Sequence, residues 1–414
     1  TASGLPTKSC TLCRLVMGVL NQVALVMCLT TASFCAASAY SFDDELVTIP
    51  GVLEEANARQ IFRDWTAHHR REYSNEEEES TRFATFWNVM KQVHAHNSKG
   101  ASWKMGINHM SDMTLQEASA KVGGHRNPPG HIPGEDVTSS CGFSAQNANI
   151  SVGVDWRDRD VLNPVKNQGA CGSCWAYSTT GAVEAVTAIM TGEKVVLSEQ
   201  ELTDCNWLGS FCDGGNIEEG YKWAVANGIG AIETYPYNNK DHTNVTCVVD
   251  QAFSRRGTID NYEMVPRGEE NLRKAITVSP VSIGIDAFQQ DFLSYKSGIY
   301  DGNCHDTIDD LDHAVVAVGF GWEDGVGYFV IRNSWTGEWG EGGYIRIKAG
   351  GNPAAGKCGI AMLATRPIKD GSVQFHVNGT WPEWAKKLDP SKKDVTPVGP
   401  GPVNPDNPPS VASM

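Results

Sequence analysis

The sequence predicts an α+β fold in two halves, preceded by a helical segment that runs from about residue 40 to 135. Three observations carry this. Between 78 and 97, Phe83, Phe86, Trp87, Met90 and Val93 recur near i, i+3, i+4, i+7, one apolar stripe on a helix. The acidic run Glu76–Glu79 stands at its start, where negative charge suits the helix dipole. Next, Cys174 to about Met190 reads as a buried helix. After 255 come short β-rich runs: Val281–Ile283, Ala314–Val318, Tyr328–Ile331 and Tyr344–Ile347, separated by glycines.

Boundaries follow from composition. Asn127-Pro128-Pro129-Gly130 and Ile132-Pro133-Gly134 mark an exposed linker open to proteolysis. From Trp381 the chain is rich in Pro, Asn, Lys and Ser, too polar to offset its ordering entropy, so an extended tail is expected. No internal repeat is present. The expected division is a leader over 1–39, a helical prosegment and linker over 40–149, the main domain over 150–368 and the tail over 369–414.

A formal charge of -15 and a pI near 5.2 over 414 residues argue against a nucleic-acid partner, which would want a basic face. Lys8 and Arg14 precede an apolar run from Leu15 to Leu29, and small residues follow to Ala37-Ser38-Ala39. That order is a secretory signal. The rival is a membrane anchor, against which the run is short and interrupted by Asn21-Gln22. A membrane partner is therefore expected only if this segment stays uncleaved.

Four of the twelve cysteines (Cys10, Cys13, Cys28, Cys35) lie near the N-terminus, and Cys141 stands alone. Seven fall between 171 and 358, so three disulfides there leave one thiol over. Cys171-Gly172-Ser173-Cys174 is a C-x-x-C. A zinc site is disfavoured because no second pair follows at finger spacing. A thioredoxin-like pair lacks its strand–helix surroundings. A nucleophile beside a structural cysteine remains, and the wording Cys171-Gly172-Ser173-Cys174-Trp175 is its signature.

From about Val154 to Pro367 the chain resembles papain and the cathepsin L-like peptidases. The resemblance rests on Asp155-Trp156-Arg157, the stretch Asn167–Ala176, Leu202–Cys205, Cys212–Gly215, Tyr235-Pro236-Tyr237, Asp312–Val315, Asn333-Ser334-Trp335 and Trp339-Gly340. It implies a two-lobed domain, helical on the left and β-barrel-like on the right, with no metal and no cofactor. It implies Cys174 as nucleophile and His313, 139 residues downstream, as its proton partner. Asn333 would orient the imidazole, and Gln168 would donate to the oxyanion with the Cys174 N–H. The other histidines (His68, His69, His94, His96, His109, His125, His131, His242, His305, His376) read as ordinary core or surface residues.

The resemblance also implies the pairs Cys171–Cys212, Cys205–Cys247 and Cys304–Cys358. It places Gly214, Gly215, Asn216, Ile217, Gly284, Leu311, Asp312, Ala314, Trp335 and Leu363 at the substrate. With Leu363 and no charge at the base, the P2 pocket should favour Leu, Val or Phe over Arg. The segment 58–115 resembles the inhibitory prosegment, through Phe62, Trp65, Glu78, Arg82, Phe86, Val93, Asn97 and Gly106–Asp112. Val89 stands where Asn is usual, Met110 for Phe, and Thr336 where Gly usually follows the Trp. The expected partners are protein and peptide substrates and the chain's own prosegment, in a monomer that is acid-activated in a lysosome or vacuole, or secreted. An inactive homologue that only binds is the rival, and both Cys174 and His313 survive against it. Asn149, Asn244 and Asn378 sit in N-x-S/T sequons, candidate glycan sites.

Overall fold

Hydrophobic spacing sets the prosegment first. Helices α1 (Glu55–His68) and α2 (Glu76–Asn97) pack through Phe62 and Trp65 of α1 against Phe83 and Phe86 of α2. The Asn75 side chain caps α2 by accepting from the Glu78 N–H at 2.9 Å. The buried stripe is Phe83, Phe86, Val89, Met90 and Val93, while Trp87 is only half-buried. Val89, the residue that departs from the family pattern, thus takes the place expected of Trp87, because it lies three residues after Phe86 on the buried face.

The chain then forms β1 (Trp103–Met105) and α3 (Leu115–Val122), which opens on a capping box between Thr114 and Glu117. This computed structural model describes residues 54–125, 143–150, 153–206, 211–238, 247 and 255–370. The expected leader, Cys141, Asn244, Asn378 and the Pro-rich tail lie outside the described residues.

The main domain begins with β2 (Val154–Asp155), followed by α4 (Cys174–Thr191), α5 (Glu199–Cys205) and α6 (Ile217–Asn227). Next come β3 (Ile229–Gly230), β4 (Arg255–Gly257), β5 (Asn261–Met264), α7 (Glu269–Val278), β6 (Val281–Ile285) and α8 (Gln290–Leu293). The chain continues through β7 (Tyr295–Tyr300), β8 (His313–Glu323), β9 (Val326–Arg332), β10 (Tyr344–Lys348) and β11 (Ala364–Ile368). All four strand runs expected from the sequence are present. The β8–β9 hairpin turns at Asp324-Gly325, both with positive φ (51° and 80°), the conformation that Asp-Gly supplies most readily.

The main sheet runs β1-β7-β10-β9-β8-β6-β11-β5, with β2 beside β8. Its path is open, so the lobe expected to be barrel-like does not close among the described residues. The prosegment supplies one edge: β1 pairs antiparallel with β7, Trp103 opposite Gly298. Gly298 has φ 92°, and a Cβ there would lie 2.7 Å from the Trp103 Cα. Only glycine lets the prosegment backbone come so near.

Helix α4 is buried along almost its whole length, with α6 on one side and β8 on another. Its buried hydroxyls are satisfied inside, as when Ser178 Oγ donates to the Val315 carbonyl at 2.7 Å. Lys166 Nζ meets Glu184 at 2.6 Å and Glu199 at 2.5 Å, which ties the loop before α4 to α4 and α5. The disulfides Cys171–Cys212, Cys205–Cys247 and Cys304–Cys358 are formed.

The α4–α6 contact is close at Gly220, where a Cβ would approach Thr179 Oγ1 to 2.3 Å. Gly220→Val should force the helices apart and destabilise the protein by about 1–3 kcal/mol. Thermal unfolding of an otherwise identical Cys174→Ala chain would measure this, and an unchanged melting temperature would refute it.

Candidate active site

Cys174 is the first residue of α4 and, among the described residues, the one cysteine outside a disulfide. A helix N-terminus carries partial positive charge, which favours a thiolate. The backbone N–H groups of Ala314, Trp175 and Cys174 also act to lower the thiol's pKa. Burial outweighs them and pushes the thiol up to about 12.

His313 opens β8, so the Ala314 N–H that reaches the sulfur comes from the residue beside it. The imidazole is fully buried, with ring centroids 4.6 Å from Trp335, stacked, and 6.1 Å from Phe288, edge-on. Its Nε2 is 2.8 Å from Asn333 Oδ1, the geometry of an N–H donating to the amide oxygen. Its other nitrogen, Nδ1, is buried without a hydrogen-bond partner. Burial lowers the His313 pKa to about 4, against the opposing hydrogen bond to Asn333. Cys174 and His313 are therefore both neutral under the prosegment.

Gln168 is held from several sides. Its N–H donates to the Ser334 carbonyl at 3.0 Å, and the Ser334 hydroxyl donates to its Oε1 at 2.6 Å. Its Nε2 donates to the Cys171 carbonyl at 2.8 Å and to the Val122 carbonyl at 3.0 Å. Val122 ends α3, so a prosegment carbonyl already sits on this donor. The role of the Ser334 hydroxyl was not read from the sequence, where it is one serine among many.

Beyond α3 the prosegment threads the cleft as Gly123-Gly124-His125. The N–H groups of Gly124 and His125 donate to the Asp312 carbonyl at 3.2 Å, and the Gly215 N–H donates to the Gly124 carbonyl at 2.8 Å. A Cβ on Gly124 would lie 2.2 Å from the Gly172 carbonyl oxygen, so no side chain fits there. His125 pairs with Gly215 in the parallel sense.

The expected pocket residues fall together. Leu311, Ala314, Leu363 and Ile217 are buried in one apolar cluster with Cys174. A Cβ built on Gly284 would lie 3.2 Å from Leu311, 3.2 Å from Leu363 and 3.3 Å from His125 Nε2. His125 therefore occupies the space above Gly284, a placement that the sequence did not signal. Gly215 lies flat on the Trp175 indole, and Asn216 caps α6 through the Glu218 N–H at 2.7 Å. Gly214 precedes them at φ 113°. The Asp312 carboxylate accepts from the Ala287 N–H at 2.9 Å, and burial raises its pKa to about 7.

The description "papain family cysteine protease" matches residues 150–368, and a cathepsin propeptide inhibitor domain (I29) matches residues 62–118. The chain belongs to the papain family of cysteine proteases. Cysteine proteinase RD21A of Arabidopsis thaliana is 37% identical over 364 residues, covering 86% of this chain and 77% of that protein. Oryzain beta chain of Oryza sativa subsp. japonica is 37% identical over 332 residues, covering 77% and 68%. Among solved structures, the proform of the ragweed pollen protease Amb a 11 is similar, with a TM-score of 0.68, 32% identity and coverage of 77% and 96%. Recombinant stem bromelain precursor has a TM-score of 0.67 at 31% identity, covering 76% and 99%.

This is accordingly a cysteine-type peptidase with the family's inhibitory propeptide domain. One departure from the papain pattern has a visible consequence. Thr336 adopts φ 67°, a left-handed conformation that glycine takes freely and a β-branched residue does not. Its Oγ1 accepts from the Glu338 N–H at 3.1 Å, a hydrogen bond that glycine lacks.

A buried thiol at pKa about 12 is ionised to about one part in 100,000 at pH 7. Iodoacetamide at pH 7 should leave Cys174 unmodified while the prosegment is docked and alkylate it once the prosegment is removed. Peptide mass mapping before and after processing decides the matter, and equal labelling in both states would contradict the burial argument.

Proposed function

We propose that the protein is a cysteine endopeptidase, made as an acid-activated zymogen, with Cys174, His313, Asn333 and Gln168 as its catalytic residues. The observation that carries this is an unbridged thiol at a helix N-terminus, reached by the Ala314 N–H of β8, next in the chain to an imidazole already oriented through Nε2 by Asn333. Nδ1 is then the nitrogen left for the thiol proton.

In this mechanism His313 Nδ1 takes the Cys174 proton, and the thiolate attacks the substrate carbonyl carbon. The oxyanion is stabilised by Gln168 Nε2 and the Cys174 N–H. The imidazolium gives its proton to the amine as the C–N bond breaks, leaving an acyl thioester. Water attacks that thioester, His313 takes its proton, and the acid product leaves as the thiol re-forms. Asp312 and Gly215 offer a substrate the same backbone groups that the prosegment uses here. Processing over 136–150 would release the domain 150–368. The exposed side chain of Asn149 is a glycan acceptor of that segment. The leader-like 1–39 directs the chain to a secretory route, ending in an acidic vacuole or outside the cell. A monomer suffices for this chemistry.

Acid activation followed by labelling with an epoxysuccinyl inhibitor, read by mass spectrometry, is the central test. Label should fall on Cys174 of a chain that has lost its prosegment. The pocket of Gly284, Leu311 and Leu363 holds no charge. A peptide substrate with Leu at P2 should therefore be cleaved at least tenfold faster than its Arg counterpart, because one well-fitted apolar side chain contributes about 1–3 kcal/mol. Faster cleavage at Arg would refute the pocket assignment.

The acid trigger has a physical basis in buried imidazoles. His109 is lowered from 6.5 to about 4 by burial, with His69 and Arg71 adding to the effect. Once the prosegment is released and unfolds, it returns to its ordinary value. Between about pH 6.5 and 4 the released state takes up a proton that the docked state does not. Docking is thus strongest above 6.5, and weakens as pH falls through that window, by on the order of 3 kcal/mol in all. His313, lowered to about 4 by burial, acts in the same direction. For Glu117, burial is overcome by its bonds to Thr114 and Arg82, so its carboxyl lies below 4.5. Its contribution is present above 4.5 and is lost only at lower pH. His109→Gln should move the pH of half-maximal activation downward by about half a unit or more. Activation rates measured from pH 7 to 4 would show this, and an unchanged midpoint would remove His109 from the trigger.

A further inference from the structure

The prosegment meets the catalytic domain at a second polar cluster, away from the cleft. His68 is the last residue of α1, and His69 follows with φ -86° and ψ 5°, which turns its ring to 87° from that of His68. Both rings face Glu338, on the loop between β9 and β10. His68 Nε2 lies 4.0 Å from Glu338 Oε1, and His69 Nδ1 lies 3.7 Å from Oε2. Among the described residues this is the one group of three or more His, Cys, Asp or Glu whose donor atoms all lie within 4.8 Å of one another.

We propose that His68, His69 and Glu338 form a zinc site that staples the prosegment to the catalytic domain. Two imidazole nitrogens and a carboxylate are a donor set that suits zinc. Donors that now lie up to 4.8 Å apart close to about 3.3–3.6 Å around a tetrahedral zinc with ligands at about 2.0–2.2 Å. That is a movement of up to about 1.5 Å between donors, and water completes the tetrahedron. The movement falls on exposed side chains, since His68 and Glu338 are about half exposed, at 48% and 54%.

The other ligand is already fixed. The His69 ring packs 4.9 Å from that of fully buried Trp65 and is 13% exposed. Behind Glu338, its N–H donates to Thr336 Oγ1, and the Thr336 N–H donates to the Lys166 carbonyl at 3.2 Å. Lys166 in turn is anchored on Glu184 and Glu199. The carboxylate therefore projects from a braced loop. Zinc uptake does not depend on the peptidase reading. Only the consequence, slower release of the prosegment, rests on it.

The test uses the full chain with Cys174→Ala, so that it stays uncleaved. Zinc chloride is titrated at pH 7.5 by calorimetry into this parent and into two derivatives, His68→Gln with His69→Gln, and Glu338→Gln. The parent should bind one more zinc ion than either derivative, and zinc should raise the melting temperature of the parent alone. Equal stoichiometry in parent and derivatives overturns the site, as does a parent that takes up no zinc. Should the double variant fold poorly, judged by melting without zinc, Glu338→Gln decides alone. All chains tested are inactive, so the result leaves the peptidase proposal untouched either way.

Discussion

Ser178 Oγ donates to the Val315 carbonyl at 2.7 Å, and around that bond α4 lies against β8. The groups proposed to react are placed by this seam. Cys174 stands at one end of the helix and His313 at the start of the strand, so their relation follows from how helix and sheet pack. The backbone of Ala314 reaches the sulfur because β8 runs beside the helix N-terminus. A partner for the imidazole comes from Asn333, one residue past β9, and β9 is registered on β8 by the hairpin. Gln168 joins the same assembly through Ser334, which follows Asn333. Three loops thus converge because two neighbouring strands and one helix hold them.

Burial governs the chemistry of this state more strongly than any single bond. The helix terminus and three N–H groups all favour a thiolate, yet removal of solvent raises the thiol to about 12 and lowers His313 to about 4. The covered site therefore holds a thiol and a neutral imidazole. Uncovering the cleft returns water to both groups, and the same N–H groups can then stabilise the ion pair. In the proposed activation, one event opens access and creates the reactive charge state.

Much of this was legible in the sequence, for identifiable reasons. The C-G-S-C-W wording and the later Asn333-Ser334-Trp335 are local strings, and local strings survive without a structure. The strands β6, β8, β9 and β10 show as β-rich runs because they line buried cores. Strand β11 was less legible, since Ala364-Thr365-Arg366-Pro367-Ile368 has no apolar alternation, and its charge is buried against Glu263 at 2.6 Å. Strand β1 is too short to carry a period. Histidines were the main failure. His109 is half-buried, with its Nδ1 fully covered and no apolar pattern to announce it, His125 lies over Gly284 through contacts across more than 150 residues, and His68 and His69 meet Glu338 only once the prosegment is docked. Long-range placement of single polar residues leaves no trace in periodicity.

A segment lying across the active site of a peptidase must escape being cut, and the geometry suggests how. Gly123 and Gly124 pass the point where Gly172 leaves no room for a side chain. The chain runs from α3, beside Phe288, toward the pocket of Leu311 and Leu363, and pairs with Gly215 in the parallel sense. In the proposed subsite order, a substrate runs the other way, from that pocket toward Trp335. Reversal exchanges the carbonyl and amide ends of each peptide unit relative to the catalytic groups. The Val122 carbonyl still accepts from Gln168, so an oxyanion donor is engaged. In the proposed mechanism the amine that would have to leave is then turned away from His313, the group that would protonate it. Binding strength and resistance to cleavage thus come from the same backbone contacts, made in the opposite direction.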